Sequence, residues 1–165
     1  MKRIAIILFV FASTALALDG PREVAESALA AWKARDGAAL TAVASTEFLA
    51  RCRHARVFDS PVTDIGVKNR VLASGSDQEV VTLMCEAVGK LAPHPQNSIY
   101  TYLKTIPKGD LLIVEFSDGW VSQTTGKVYG TFPTRVVLKK EGNRWRYLWS
   151  PAASIYVDLG WDPGS

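Results

Sequence analysis

One carboxylate in this sequence lies where it could take part in proton transfer. Glu115 is part of the apolar run at 111–116, and strand alternation places it on the same face as Ile113. Loss of water around a carboxylate favours its protonated form, which suits general acid–base catalysis. The alternative is a structural role, either as a cross-strand partner of Arg135 or Lys104 or as a solvent-facing side chain. Glu115 is therefore the candidate catalytic residue.

Aromatic side chains form a second candidate site, one that could stack on a ligand. Three of them, Trp145, Tyr147 and Trp149, alternate along one segment near the end of the chain. This spacing predicts that the three share one face of a strand. The candidate ligand-binding residues are Tyr100, Tyr102, Trp120, Trp145, Tyr147 and Trp149. Such residues line either a core beneath helices or an open pocket for an apolar ligand or a sugar, and both alternatives stay open.

The N-terminus has the pattern of a cleavable secretory signal peptide. Lys2 and Arg3 precede an apolar run that ends in the small residues Ala15 and Ala17. This pattern predicts a leader at 1–17, cleaved after Ala17, and a periplasmic or secreted protein. The apolar run is shorter than the ~20 residues that span a membrane, so no stable membrane anchor is expected after cleavage.

The charge of the chain gives no reason to expect a polyanionic partner. Two of the 19 basic residues lie in the leader, which leaves 17 against 16 acidic residues. A nearly neutral domain is not typical of proteins that bind nucleic acid. The two histidines and two cysteines have no metal-ligand spacing, and no phosphate-binding glycine loop is present, so we expect neither metal nor cofactor.

The two cysteines, Cys52 and Cys85, are far apart in sequence. An oxidising compartment favours a disulfide between them, and we predict that bridge. Two buried free thiols, or one reactive cysteine, are the alternatives. A nucleophilic pair of Cys52 with His54 is disfavoured, because residues two apart on a helix point away from each other.

The spacing of apolar residues changes near residue 95, from helical periodicity to strand alternation. The predicted helices cover about 21–35, 38–44, 46–57, 65–74 and 76–91, with a strand at 80–84 as the alternative in the last. The predicted strands cover about 98–106, 111–117, 126–140 and 144–150. Helices followed by hairpin-connected strands predict an α+β fold, with N-terminal helices packed on a curved four-stranded antiparallel sheet. We expect one domain at 18–165, ending in a short C-terminal tail.

Two segments of the sequence resemble the nuclear-transport-factor-like superfamily, a group of cone-shaped, cystatin-like α+β domains. The first is AWKARDGAAL at 31–40, similar to the Trp…Asp/Gly…Leu opening of that superfamily, and the second is the closing hairpin VVLKKEGNRWR at 136–146. The chain is thus similar to the SnoaL-like and ketosteroid isomerase-like members of that superfamily. The resemblance, together with the leader, implies an exported bacterial member. The resemblance implies a curved sheet and helices around a pocket, used in different members for catalysis, ligand binding or protein association.

Three functions are compatible with these features. The leading hypothesis is an exported, non-enzymatic domain that binds a small apolar or aromatic ligand, or a protein partner, through its sheet face. A homodimer through the same face is included in it. The second is an isomerase- or dehydratase-like pocket enzyme that uses Glu115 with Tyr100 or Tyr102. The third is a periplasmic interaction or inhibitor protein that acts through a basic helix around Arg51 and Arg53 or through the apolar C-terminal tail.

Overall fold

The computed structural model describes residues 20–91, 98–122 and 124–151 of the chain. The predicted leader, its cleavage site and the tail from 152 onward lie outside these residues. In the described ranges, no helix has the length and apolar character needed to cross a membrane.

Residues 20–91 form a helical layer. It consists of α1 Pro21–Ala34, α2 Gly37–Val43, α3 Thr46–Cys52, α4 Ile65–Ser74 and α5 Asp77–Leu91, with a 3-10 helix at Arg56–Asp59. The predicted helical first half is confirmed. The helix predicted from residue 46 to 57 is wrong in its length, because α3 ends at Cys52 and a turn separates it from the 3-10 helix.

Polar side chains determine where these helices begin. At α2, α3 and α4, the oxygens of Asp36, Ser45 and Asp64 accept hydrogen bonds of 2.9–3.1 Å from the backbone N–H three residues later. At α5, the N–H of Ser76 donates to Glu79 Oε2 at 2.7 Å, and the N–H of Glu79 donates to Ser76 Oγ at 3.3 Å. This reciprocal capping box explains why residues 80–84 are helical although valine and threonine favour strands.

Residues 98–151 contain four antiparallel strands in the order β1-β2-β3-β4. Their bounds are β1 Ser98–Lys108, β2 Leu111–Val121, β3 Val128–Glu141 and β4 Arg144–Trp149. The predicted α+β class and four-stranded antiparallel sheet are confirmed. β3 has 14 residues and β4 only 6, and β4 pairs with β3 from Val137 to Glu141. Among the described residues, the first part of β3 therefore pairs with β2 alone.

One face of the sheet packs on the helices. Tyr147 of β4 has no exposed surface, and its hydroxyl accepts from Trp32 Nε1 of α1 at 2.9 Å and lies 2.8 Å from Ser150 Oγ. Its ring meets the edge of Phe48 with centroids 4.9 Å apart. The other fully buried strand residues of this core are Val114, Phe116, Val136 and Leu138. Alternation along β2 and β3 thus fills the space under the helices at this end of the sheet.

The opposite face of the sheet carries a separate apolar cluster. Its buried members are Ile113, Val137, Leu148 and Trp149, and Ile106 and Leu111 pack beside them. We call these six residues the second cluster. All six belong to strands. The buried cluster on the other face, which includes Tyr147 and Phe48 and which we call the main core, contains residues from every α-helix.

The structure corrects the predicted placement of Trp149. The register between β3 and β4 pairs Leu138 with Tyr147 but Val137 with Trp149, so Leu148 is an extra residue in β4. A β-bulge of this kind interrupts the alternation of side chains. Tyr147 and the partly buried Trp145 consequently face the helices, whereas Trp149 lies on the other face, in the second cluster.

The predicted disulfide between Cys52 and Cys85 is not formed in the structure. Both cysteines are free and buried, Cys52 at the end of α3 and Cys85 in α5. Their sulfur atoms pack as apolar groups within the main core. Desolvation raises the pKa of the Cys85 thiol to about 12 and raises that of Cys52 as well, so both thiols are protonated at neutral pH. The alternative of two buried thiols is the one observed.

Candidate interaction surface

Glu115 lies at the centre of an ion-pair network on the face of the second cluster. Its Oε1 is 3.1 Å from Arg135 Nε on β3, and its Oε2 is 3.3 Å from Lys104 Nζ on β1. The carboxylate side chain is 12% exposed, and the two cations are more than half exposed. Both oxygens therefore have cationic partners, the arrangement expected of a cross-strand ion pair.

The tyrosines proposed as partners of Glu115 lie on the opposite face of the sheet. Tyr102 pairs with Phe116, which faces the helices, and their ring centroids are 6.1 Å apart. The Arg22 guanidinium of α1 lies 4.8 Å from the centroid of the Tyr102 ring. Tyr100 also packs against the main core. The structure thus does not bring Glu115 together with either tyrosine.

Three other aromatic candidates serve as packing residues. Tyr147 is fully buried and Trp149 is 5% exposed, while Trp145 packs at the edge of the main core. Tyr147 satisfies its hydroxyl inside the protein, which is what a buried tyrosine requires. Of the six aromatic candidates, Trp120 is the exposed one, at 46%.

Trp120 belongs to a part of the sheet that we call the distal end. It comprises the start of β1, the end of β2 and the start of β3, on either side of the loop at 122–127. The apolar residues that define it are Ile99, Trp120, Val121, Val128, Tyr129 and Phe132. Within the described residues nine large apolar side chains are exposed, and five of them lie at this end. Exposed apolar surface is thus concentrated here.

Three aromatic rings form the face of the distal end that continues from the helix-packed face. Trp120 stacks on its cross-strand partner Tyr129, with centroids 5.1 Å apart and planes at 26°. Phe132 lies beside them and is 68% exposed. Gly130 has a φ of +59°, and a Cβ there would lie 3.0 Å from the Phe132 ring and 3.7 Å from Trp120 Nε1. A glycine at this bulge allows the ring to approach the backbone beside the tryptophan.

The other face of the distal end is apolar too. Ile99 pairs with Gly119, and Val121 pairs with Val128, so these side chains lie opposite the aromatic ones. A Cβ added to Gly119 would be 2.9 Å from Val128 Cγ1, which agrees with that placement. Ile99 is 44% and Val128 is 55% exposed. The distal end therefore presents apolar side chains on both faces.

The sequence pattern identified Trp120 but not the surface to which it belongs. Tyr129 and Phe132 stand out in the sequence only as aromatic residues of the middle strands, and Val128 and Ile99 are not candidate binding residues. A signal for them was present in the strand lengths, because a long third strand beside a short fourth one must extend past its neighbour. The predicted lengths at 126–140 and 144–150 already contained that difference.

A shallow groove lies between α4 and α5, away from the sheet. The apolar residues that line it are Val67, Val71 and Leu83, and its charged lining residues are Arg70, Glu79 and Glu86. Its charged residues are of mixed sign. Within the described ranges, no group of three or more His, Cys, Asp or Glu side chains could hold a metal ion.

The chain was compared with protein-family models, curated proteins and solved structures. No protein-family model matches this chain, and no curated protein matches it. A solved structure of a designed NTF2-like protein is similar, with 13% identity and a TM-score of 0.42, over 78% of this chain and 92% of that chain. A TM-score this low supports no inference, so the α+β architecture rests on the elements and the strand order described above.

Proposed function

We propose that this protein is a protein-interaction domain whose distal end docks on an apolar surface of a partner protein. The observation that carries the proposal is the stack of Trp120 and Tyr129 beside Phe132, three rings that stay exposed although Lys33 of α1 reaches Ser98 at the start of β1. Tryptophan, tyrosine and phenylalanine are the side chains enriched in protein interfaces. Soluble proteins rarely leave such a contiguous apolar patch without a use.

The shape of the distal end favours a protein over a small molecule. Small ligands are held in concave sites that enclose most of their surface. The distal end instead has apolar side chains on both faces, with Ile99 and Val128 behind the aromatic rings. A partner protein can cover both faces, and a small ligand cannot.

The environment of Glu115 supports a binding role rather than an enzymatic one. General acid–base catalysis needs a carboxyl group that can reach the reacting atoms of a substrate. Glu115 is engaged by Arg135 and Lys104, and Tyr100 and Tyr102 lie across the sheet from it. With the leader removed as predicted, the partner would be another exported or envelope protein.

The test is photo-cross-linking in the cells that produce the protein, followed by binding measurements. A benzoylphenylalanine replaces Phe132 in one variant and Ile65, which is 70% exposed on α4, in the control variant. We expect one discrete cross-linked protein from position 132 that is absent from position 65. Equal patterns from both positions, or a cross-link only to a second copy of this chain, would contradict the proposal.

The same partner, once purified, allows a quantitative check with the full-length mature protein. Truncating a central interface aromatic costs at least ~2 kcal/mol, which corresponds to about 30-fold in Kd. We therefore expect Trp120→Ala to weaken binding by about 30-fold and Ile65→Ala to leave it unchanged. Equal effects of the two substitutions would show that the distal end is not the contact surface.

A further inference from the structure

The second cluster is buried more deeply than an uncovered sheet face allows. Val137 is 0%, Leu148 1%, Trp149 5% and Ile113 6% exposed. An antiparallel sheet with one face in water carries polar side chains there and leaves them accessible. Four large apolar side chains at these exposures require a layer of atoms above them.

No described helix supplies that layer. Val136 and Leu138, which alternate with Val137 along β3, belong to the main core with the helices. The members of the second cluster all come from strands. The residues outside the described ranges are 1–19, 92–97, 123 and 152–165, and the cover is sought among them.

The C-terminal segment at 152–165 is the one that fits. Residues 1–17 are predicted to be removed as a leader, and residues 92–97 are few and contain two prolines. The C-terminal segment begins three residues after Trp149, itself a member of the second cluster. Its apolar residues are Ile155, Tyr156, Val157, Leu159 and Trp161.

The length of the segment is also sufficient. Fourteen residues can span up to about 46 Å when extended. Strands lie about 4.8 Å apart, so the second cluster, which spans four strands, is about 15 Å wide. A chain that leaves β4 at its end can therefore cross the whole cluster and still have residues left to fold.

We propose that residues 152–165 pack across the second cluster and form the apolar layer that buries it. The segment is then part of the domain, and it occupies the sheet face that a homodimer would otherwise use. The distal end remains as the apolar surface open to a partner. This inference does not depend on the proposed function, because it concerns the other end of the sheet.

The first test is photo-cross-linking of the purified mature protein. A benzoylphenylalanine replaces Ile106, a partly buried member of the second cluster, or Thr105, which pairs with Val114 and so lies on the helix-packed face. We expect position 106 to cross-link within the same chain to a peptide from 152–165, and position 105 not to do so. A cross-link between two chains would assign the face to a second copy. That result, or no cross-link to 152–165, overturns the proposal.

The second test is a double-mutant cycle, which does not rely on one cross-linking position. The tail variant changes Ile155, Leu159 and Trp161 to alanine, and it is combined with Val137→Ala or with the matched control Val136→Ala. Both valines are 0% exposed, but they face opposite sides of the sheet. We expect the unfolding equilibrium constants to deviate from additivity by at least about threefold with Val137 and to be additive with Val136. Additivity in both cycles would overturn the proposal.

Discussion

The two ends of the sheet share one apolar pattern but differ in what lies above it. At the end where β4 is present, Phe116, Val136 and Tyr147 meet the helices and are fully buried. At the distal end, Trp120, Tyr129 and Phe132 continue the same face and are 41–68% exposed. Alternation along β2 continues from one end to the other, and the bulge at Gly130 keeps Tyr129 and Phe132 of β3 on the same face. Apolar residues at alternate positions therefore predict a face, whereas the neighbouring layers decide whether that face becomes a core or an interface.

A pair of phenylalanine substitutions tests the difference between the two ends directly and should give the greatest change. Phe116→Ala removes a fully buried ring, and we expect it to lower the free energy of unfolding by about 3–5 kcal/mol. The matched change at the distal end, Phe132→Ala, removes a ring that is 68% exposed and is expected to cost no more than about 0.5 kcal/mol. Urea denaturation of both variants measures the difference. Similar losses would mean that the distal end is packed in solution and is not an open surface.

A second, smaller effect on the free energy of unfolding is expected from the two buried thiols of the main core. Burial raises the pKa of Cys85 from 9.0 to about 12, and the pKa of Cys52 also rises. The unfolded chain then loses thiol protons at lower pH than the folded one does. Stability from these groups is fully present below pH 9 and is lost as the pH rises from about 9 toward 12.

Between pH 8 and pH 10 this linkage is expected to cost about 1 kcal/mol for each thiol. Urea unfolding at the two pH values measures the loss, and Cys85→Ala serves as the control, because it removes one thiol and should show a smaller loss. An unchanged loss in that variant would mean that the thiol of Cys85 is accessible to water in the folded protein.

The weakest effect is expected for the ion pairs of Glu115. Glu115→Gln removes the charge that engages Arg135 and Lys104, whose side chains are 53% and 62% exposed. Pairs with such exposed cations contribute less than about 1 kcal/mol, so we expect a loss below that value in urea denaturation. Binding of the partner at the distal end should not change. A loss of binding comparable to that of Trp120→Ala would place Glu115 in the functional site after all.

Much of the secondary structure could be predicted from the sequence because its signals are local. The capping box of Ser76 and Glu79 marks the start of α5, and the cap of Asp36 marks the start of α2. The alternation at 98–106 and the turn at 141–143 predict hairpin-connected strands, and the structure contains them. Each of these signals depends on residues within a few positions of one another.

The candidate site was harder to predict because it depends on register. One extra residue in β4, Leu148, moves Trp149 to the other face of the sheet from Tyr147. Another bulge, between Tyr102 and Lys104 in β1, changes which residues oppose β2. A single inserted position reverses every later side chain, and the pattern of apolar residues alone did not reveal either bulge.

The order of helices and strands, the α+β class and the ends of most elements follow from the amino-acid sequence alone, since local caps, turns and periodicity specify them. The sequence also indicated Arg135 and Lys104 as partners of Glu115. Only the packing of distant elements decides that Tyr147 is buried and Trp120 is exposed. The same packing keeps Cys52 and Cys85 as separate buried thiols. Burial depends on which distant elements pack over a strand, and no short-range pattern contains that information.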